Sequence, residues 1–159
     1  MFMAVRPLLR GVVFDMDGTL PESDLDLAGM YRRAGVTSDI LVEMQSMTPD
    51  RQREVAQIIE EAEEVGRQSL RLMPGALDVA TWLGRQNIRT ALVTRNCEKS
   101  VAALKELWRG PPLDPLITRD DFPAKPDPAA FHAIVDAWGF TPEECVMVGD
   151  SLANDVEFG

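Results

Sequence analysis

Gly11-Val12-Val13-Phe14-Asp15-Met16-Asp17-Gly18-Thr19-Leu20 is the stretch from which the fold can be read. Its first four residues are apolar and partly β-branched, bounded by Arg10 on one side and a carboxylate on the other. A short run of this kind reads as a strand buried on both faces, as parallel sheets require. Asp15 then stands at the strand's carboxyl end, the edge of an open α/β sheet where ligands bind. Asp15 and Asp17 would repel each other unless positive charge sits beside them, and a divalent cation is the simplest source. An oxygen-only ligand set suits Mg²⁺ better than zinc. The competing reading is an Asp-Gly hairpin turn, which needs an alternating strand on each side. Pro21-Glu22-Ser23-Asp24 follows, and no return strand is visible there.

Working outward, Pro21 to Leu72 carries no strand signal and reads as three helices. Ser23 and Asp26 form a candidate capping box ahead of Leu27, Met30, Tyr31 and Ala34 on one face, ending at Gly35. Ile40, Leu41, Met44 and Met47 give a short second helix. Thr48-Pro49 places an N-cap and an N1 proline before the stripe Val55, Ile58, Ile59, Ala62 and Val65. Glu60, Glu61, Glu63 and Glu64 are expected on its solvated face. Pro74-Gly75 opens a further helix through Ala80 and Leu83, and Ile88–Val93 is the second buried strand. It leads into Thr94-Arg95-Asn96, with Asn96 expected to cap a helix that turns Val101, Leu104 and Leu107 inward. Leu116-Ile117-Thr118 is a third strand. Asp127 and Pro128 are expected as N-cap and N1 of a helix carrying Phe131, Ile134, Val135 and Trp138 inward. After a capping box at Thr141–Glu144, Cys145–Val148 is the fourth strand, ending at Gly149-Asp150.

The totals narrow the function. At 159 residues there is room for one real core and a small insertion. A net charge of -10 argues against nucleic acid and anionic membrane as partners. Two cysteines, Cys97 and Cys145, are too few for a disulfide framework and fit a reducing compartment. No signal-length apolar run survives the charge and proline of Met1–Pro7, and no transmembrane run exists, so cytoplasm is the expected location.

Three apolar strands thus end in Asp15, Thr94 and Asp150, and Lys125 opens a helix after the third strand. Alternating strands and helices imply a parallel sheet with right-handed crossovers, so these positions fall on one edge of it. Carboxylates, a cation site, a hydroxyl and an ammonium suit a phosphoryl group, whose oxygens need donors and positive charge. Gly18, lacking a Cβ, would let backbone amides approach those oxygens.

The strings FDMDGTL, LVTRN, KPDPAAF and VGDSLAND, in that order, resemble the four motifs of the haloacid dehalogenase superfamily, in particular its phosphoglycolate-phosphatase-like members. The resemblance runs from about Gly11 to Asp155 and implies a Rossmann-like three-layer α/β core, residues 1–20 and 73–159, with a small all-helical cap, residues 21–72, inserted after the first strand. It implies Asp15 as nucleophile, forming an aspartyl-phosphate, and Asp17 as the acid that protonates the leaving oxygen and the base that then activates water. Gly18, Thr94, Arg95, Asn96 and Lys125 would meet the phosphoryl oxygens. Asp15, the Asp17 carbonyl and Asp150 would hold Mg²⁺, with Asp155 acting through water or orienting Lys125. Because Asp17 is present, phosphate esters rather than halides are the expected substrates.

The family's core continues with a fifth strand, so the stop at Gly159 is expected to leave the C-terminal end of the core missing. The fourth strand then becomes a sheet edge through which oligomers or a partner strand could pair. The expected function is a Mg²⁺-dependent phosphatase for a small phosphorylated metabolite. The alternatives are a phosphosugar mutase of the same family and a non-catalytic regulatory or binding protein. Arg32, Arg33, Arg51 and Arg53 could meet a second anionic group but read first as solvated surface. His132 reads as a structural or surface residue, Cys97 as incidental, Cys145 as core strand, and Trp82, Trp108 and Trp138 as helix positions consistent with packing.

Overall fold

The computed structural model describes residues 8–159; the reading of Met1–Pro7 lies outside them. The chain divides into two compact units, one comprising the residues through Glu22 together with Arg71–Gly159, the other Ser23–Leu70.

In the first unit the strands β1 (Gly11–Phe14), β4 (Arg89–Val93), β5 (Leu116–Ile117) and β6 (Cys145–Val148) form a parallel sheet in the order β5-β4-β1-β6. Phe14 is in register with Leu92 on one side and Val148 on the other, so β1, β4 and β6 end level with one another. One face of the sheet, Val13, Ala91, Val93 and Ile117, packs against Phe131, Ile134, Val135 and Trp138 of α6 (Ala129–Trp138) and against Phe158. Val12, Phe14 and Leu92 point to the opposite face by strand alternation and are buried too. The central strands therefore have apolar cover on both sides, which is why they read as continuous hydrophobic runs. At the edge, β6 buries less, and Val146 and Val148 are exposed. The helices α4 (Ala76–Arg85) and α5 (Glu98–Leu107) supply the crossovers between β1, β4 and β5.

Several local expectations shift. The stretch expected to lack strands contains a small antiparallel ribbon at each end: β2 (Pro21–Glu22) pairs with β3 (Arg71–Leu72), tied by Glu22 Oε1 to Arg71 Nε at 3.0 Å. Two residues are too few to show an alternation. Asn96 does not cap α5; Cys97 occupies that position and the Asn96 side chain turns into the core. Pro128 rather than Asp127 precedes the first turn of α6, while Asp127 Oδ1 accepts the Ala129 N–H at 2.9 Å. Leu107 and Trp82 face solvent.

The second unit consists of the helices α1 (Leu27–Ala34), α2 (Ile40–Gln45) and α3 (Pro49–Gln68). Met30, Ala34, Val36, Ile40, Val55, Ile58 and Ile59 form its core, filled out by Tyr31, Met44 and Met47. Thr48 caps α3 and Pro49 starts it, as the sequence predicts. Ser23 caps nothing: Asp26 is the N-cap of α1, accepting the Gly29 N–H at 2.7 Å. Leu27 and Val65 lie outside the apolar stripes and are exposed. Glu63, expected on the solvated face, is buried beside Arg67, whose guanidinium also meets Glu60 and Glu64. The four arginines considered for a substrate anion are each paired, Arg32 with Asp26, Arg33 with Glu61, Arg51 with Glu54 and Arg53 with Asp50.

Candidate active site

The level ends of β1, β4 and β6 bring together the chemistry-bearing residues of the first unit. Asp15 continues the ladder for one residue, its N–H donating to Val148 O at 2.8 Å, and its side chain is buried. The chain then folds into a tight turn in which the Thr19 and Leu20 amides donate to Met16 O. Gly18 sits in this turn at φ +73, where L side chains are strained, and a Cβ built on it would fall 2.3 Å from Asp150 Oδ2. Its own N–H donates to Pro21 O, so the glycine serves the turn and the close approach of Asp150 rather than offering its amide to a ligand.

Lys125 is nearly inaccessible, and its Nζ donates to Asp15 Oδ1 at 2.5 Å and to Asp155 Oδ1 at 2.6 Å. Asp155 is held in turn by the Ser151 N–H, which donates to its other oxygen at 2.9 Å inside the π turn Leu152–Val156. Gly149 makes room for this carboxylate, since a Cβ there would lie 2.2 Å from Asp155 Oδ2. Asp150 is exposed, and one oxygen from each of Asp15, Asp150 and Asp155 lies within 4.8 Å of the others.

Ionised, three carboxylates against one ammonium leave an excess of two negative charges in a small, mostly buried volume. The consequence appears at Asp15. Burial pushes its carboxyl up from 3.8 to about 6, Lys125 opposing the rise and Asp155 adding to it. A hard divalent cation fits this donor set: the ligands are carboxylate oxygens, and the charge excess is the one such an ion neutralises.

On the β4 side, Thr94 is buried, its N–H donates to Ile117 O at 2.9 Å and its Oγ1 accepts the Asn96 N–H at 3.1 Å. A hydroxyl that accepts still has its hydrogen to donate. The Asn96 side-chain amide donates to Asp17 Oδ2, and Arg95 Nη1 donates to Asn154 Oδ1 at 2.7 Å. Asp15, Asp150, Asp155 and Lys125 therefore form one cluster, while Asp17 is joined to Asn96. The Arg95 and Asn96 side chains are engaged with protein partners instead of standing open toward a phosphoryl group. Sequence reasoning missed Asn154 and the Ser151 amide; both lie inside the string VGDSLAND, but only the π turn reveals that they anchor neighbouring side chains.

The sequence model of the haloacid dehalogenase-like hydrolases matches residues 9–159. The chain belongs to this hydrolase family. Among relatives of the family, it is 35% identical to a haloacid dehalogenase-like hydrolase domain-containing protein of Arabidopsis thaliana, over 95% of this chain and 66% of the relative. It is 30% identical to phosphoglycolate phosphatase 1 of Pseudomonas aeruginosa, over 98% of this chain and again 66% of the relative. The chain thus spans just under two thirds of the length of each. The fold resembles the crystal structure of a hydrolase from Pseudomonas syringae with a TM-score of 0.73 at 20% identity, covering 91% of this chain and 77% of that one. Haloacid dehalogenase-like membership agrees with the parallel sheet and with the clustering of acidic residues at its carboxyl edge. Among the described residues, no helix is long and apolar enough to cross a membrane.

Proposed function

We propose that this chain is a Mg²⁺-dependent phosphatase that hydrolyses a small phosphorylated metabolite through an aspartyl-phosphate on Asp15. The observation that carries the reading is the buried Asp15–Lys125–Asp155 arrangement with Asp150 at its mouth. A nucleophilic carboxylate must approach a phosphoryl group that is itself anionic, and such a reaction requires positive charge fixed at the meeting point. Lys125 supplies one charge. Mg²⁺ held by Asp15, the Asp17 carbonyl and Asp150, with Asp155 acting through water, would supply the rest by shielding the two anions from each other.

In the first step an Asp15 oxygen bonds to phosphorus as the ester P–O bond breaks, and Asp17 gives its proton to the departing oxygen. In the second, Asp17 takes a proton from water as the water oxygen bonds to phosphorus and the Asp15–phosphorus bond breaks. Thr94, with its hydroxyl hydrogen available, and Lys125 would donate to the phosphoryl oxygens. Such proton transfer typically contributes ~10² to 10⁴-fold. The similarity to a protein named phosphoglycolate phosphatase 1 supports phosphate esters as the substrate class. Residues 21–72 correspond in this reading to the family's small helical cap, the segment that selects the substrate.

The test is hydrolysis of para-nitrophenyl phosphate with Mg²⁺ and with EDTA, by the chain and its Asp15→Asn variant. Turnover that requires both the metal and Asp15, falling by more than about 10³-fold in the variant, is the expected result. Turnover that survives the substitution would overturn the assignment of Asp15.

A further inference from the structure

We propose that Asn96 is a positioning residue that holds the Asp17 carboxylate in the orientation from which it serves the leaving oxygen. The inference rests on the reading of Asp17 as general acid. Asn96 follows Thr94 by two residues and is buried at 9% exposure, in a loop fixed at several points. Its N–H donates to Thr94 Oγ1 at 3.1 Å, its carbonyl accepts the Arg119 N–H at 3.2 Å, and Arg119 Nη1 donates to the neighbouring Arg95 O at 3.1 Å. From this fixed backbone the side-chain amide donates to Asp17 Oδ2 and also faces Met16 Sδ at 4.0 Å.

Of the two N–H hydrogens of the amide, one is held by Asp17 Oδ2 and the other faces the weakly accepting Met16 Sδ. The contact with the carboxylate assigns the Asn96 amide to Asp17. The physical need is clear. Asp17 stands in a turn beyond the end of β1 and is half-buried, and the Asn96 amide fixes one of its carboxylate oxygens. A group that delivers a proton in the transition state works only from within hydrogen-bond reach of the departing oxygen, and misplacement by about 1 Å can cost about 10²-fold.

The test compares kcat/KM for two esters with Mg²⁺ present: an alkyl phosphate, whose alkoxide must be protonated as it leaves, and 2,4-dinitrophenyl phosphate, whose leaving group departs without a proton. kcat/KM covers binding through cleavage of the ester bond, so the second step does not enter. In Asn96→Ala the alkyl ester is expected to lose about 10 to 100-fold and the dinitrophenyl ester less than about 3-fold. In an Asp17→Ala background, Asn96→Ala should add no further loss with either ester. Equal losses for the two esters, or losses that persist without Asp17, would show a structural role and overturn the proposal. A measurement independent of turnover is the Asn96 side-chain amide resonance, compared between the parent chain and Asp17→Ala. It should shift when Asp17 is replaced by alanine, and an unchanged resonance would contradict the contact. If the unsubstituted chain turns over neither ester, the phosphatase reading fails first, and a shifted resonance would separate that failure from the absence of the contact.

Discussion

Replacing the proposed nucleophile should make the metal-free protein more stable. Asp15 is buried, and its carboxyl is pushed up to about 6 from 3.8. Below about pH 3.8 the group is neutral in both the folded and the unfolded chain, and its effect on stability cancels. Between about 3.8 and 6 the unfolded chain releases the proton while the folded chain retains it, so stability falls as pH rises through this window. Above about 6 the loss is complete. A rise from 3.8 to about 6 corresponds to about 3 kcal/mol. The amide introduced by Asp15→Asn would be neutral at every pH and close to the shape of the protonated acid, and Lys125 would keep Asp155 as a partner. In EDTA, the stability of Asp15→Asn relative to the parent should therefore grow by about 2 to 3 kcal/mol from pH 4 to pH 8. Urea titrations of both proteins at the two pH values measure this as a double difference, in which pH-independent packing changes cancel. By thermal melting, the shift should be about 5 to 10 °C for a chain of this size. Added Mg²⁺ should narrow the gap at pH 8, because an ion that binds only the folded parent stabilises it by ~2.7 kcal/mol at a hundred times its Kd. A stability difference that does not change with pH would refute the argument that Asp15 carries unrelieved negative charge.

Two further substitutions probe the same cluster. Lys125→Met removes the ammonium between two buried carboxylates and should destabilise the metal-free protein by about 3 to 5 kcal/mol at pH 8 in urea titrations, less at low pH where Asp15 is protonated. Gly18→Ala places a Cβ at φ +73 and 2.3 Å from Asp150 Oδ2. It should cost about 1 to 2 kcal/mol of stability. The displaced Asp150 should also shrink the rise in melting temperature that Mg²⁺ produces in the parent, which differential scanning fluorimetry would read.

Much of the sheet was legible because its central parallel strands are buried on both faces and have no polar side to disguise them, while the edge strand β6 keeps an apolar run although Val146 and Val148 are exposed. Gly11–Phe14, the run through Val93, and Cys145–Val148 each appear in the sequence as apolar residues ending abruptly in Asp, Thr or Gly-Asp. The level ends of these strands explain how residues far apart in sequence reach one edge. Thr48-Pro49 was equally readable, since a hydroxyl cap and an N1 proline act locally. What escaped the sequence depends on partners distant along the chain. Asn96 has the composition of an N-cap, but its amide meets Asp17, 79 residues away in sequence. Glu63 sits among the closely spaced Glu60, Glu61 and Glu64, a stretch that looks uniformly solvated, and only the geometry of α3 brings it against Arg67. Pro21–Glu22 pairs with Arg71–Leu72 across an entire helical segment, too briefly to leave a pattern.

The most direct test of the central claim is acid quenching of the Mg²⁺-loaded chain during turnover of para-nitrophenyl phosphate, followed by mass analysis of the peptide that contains Asp15. The Asp17→Asn variant, slowed in the water-activation step, should let the intermediate accumulate. A phosphoryl increment on Asp15, absent from Asp15→Asn, is the predicted result. Turnover with no phosphorylated Asp15 in the parent or in Asp17→Asn, or with the increment on another residue, would contradict the account.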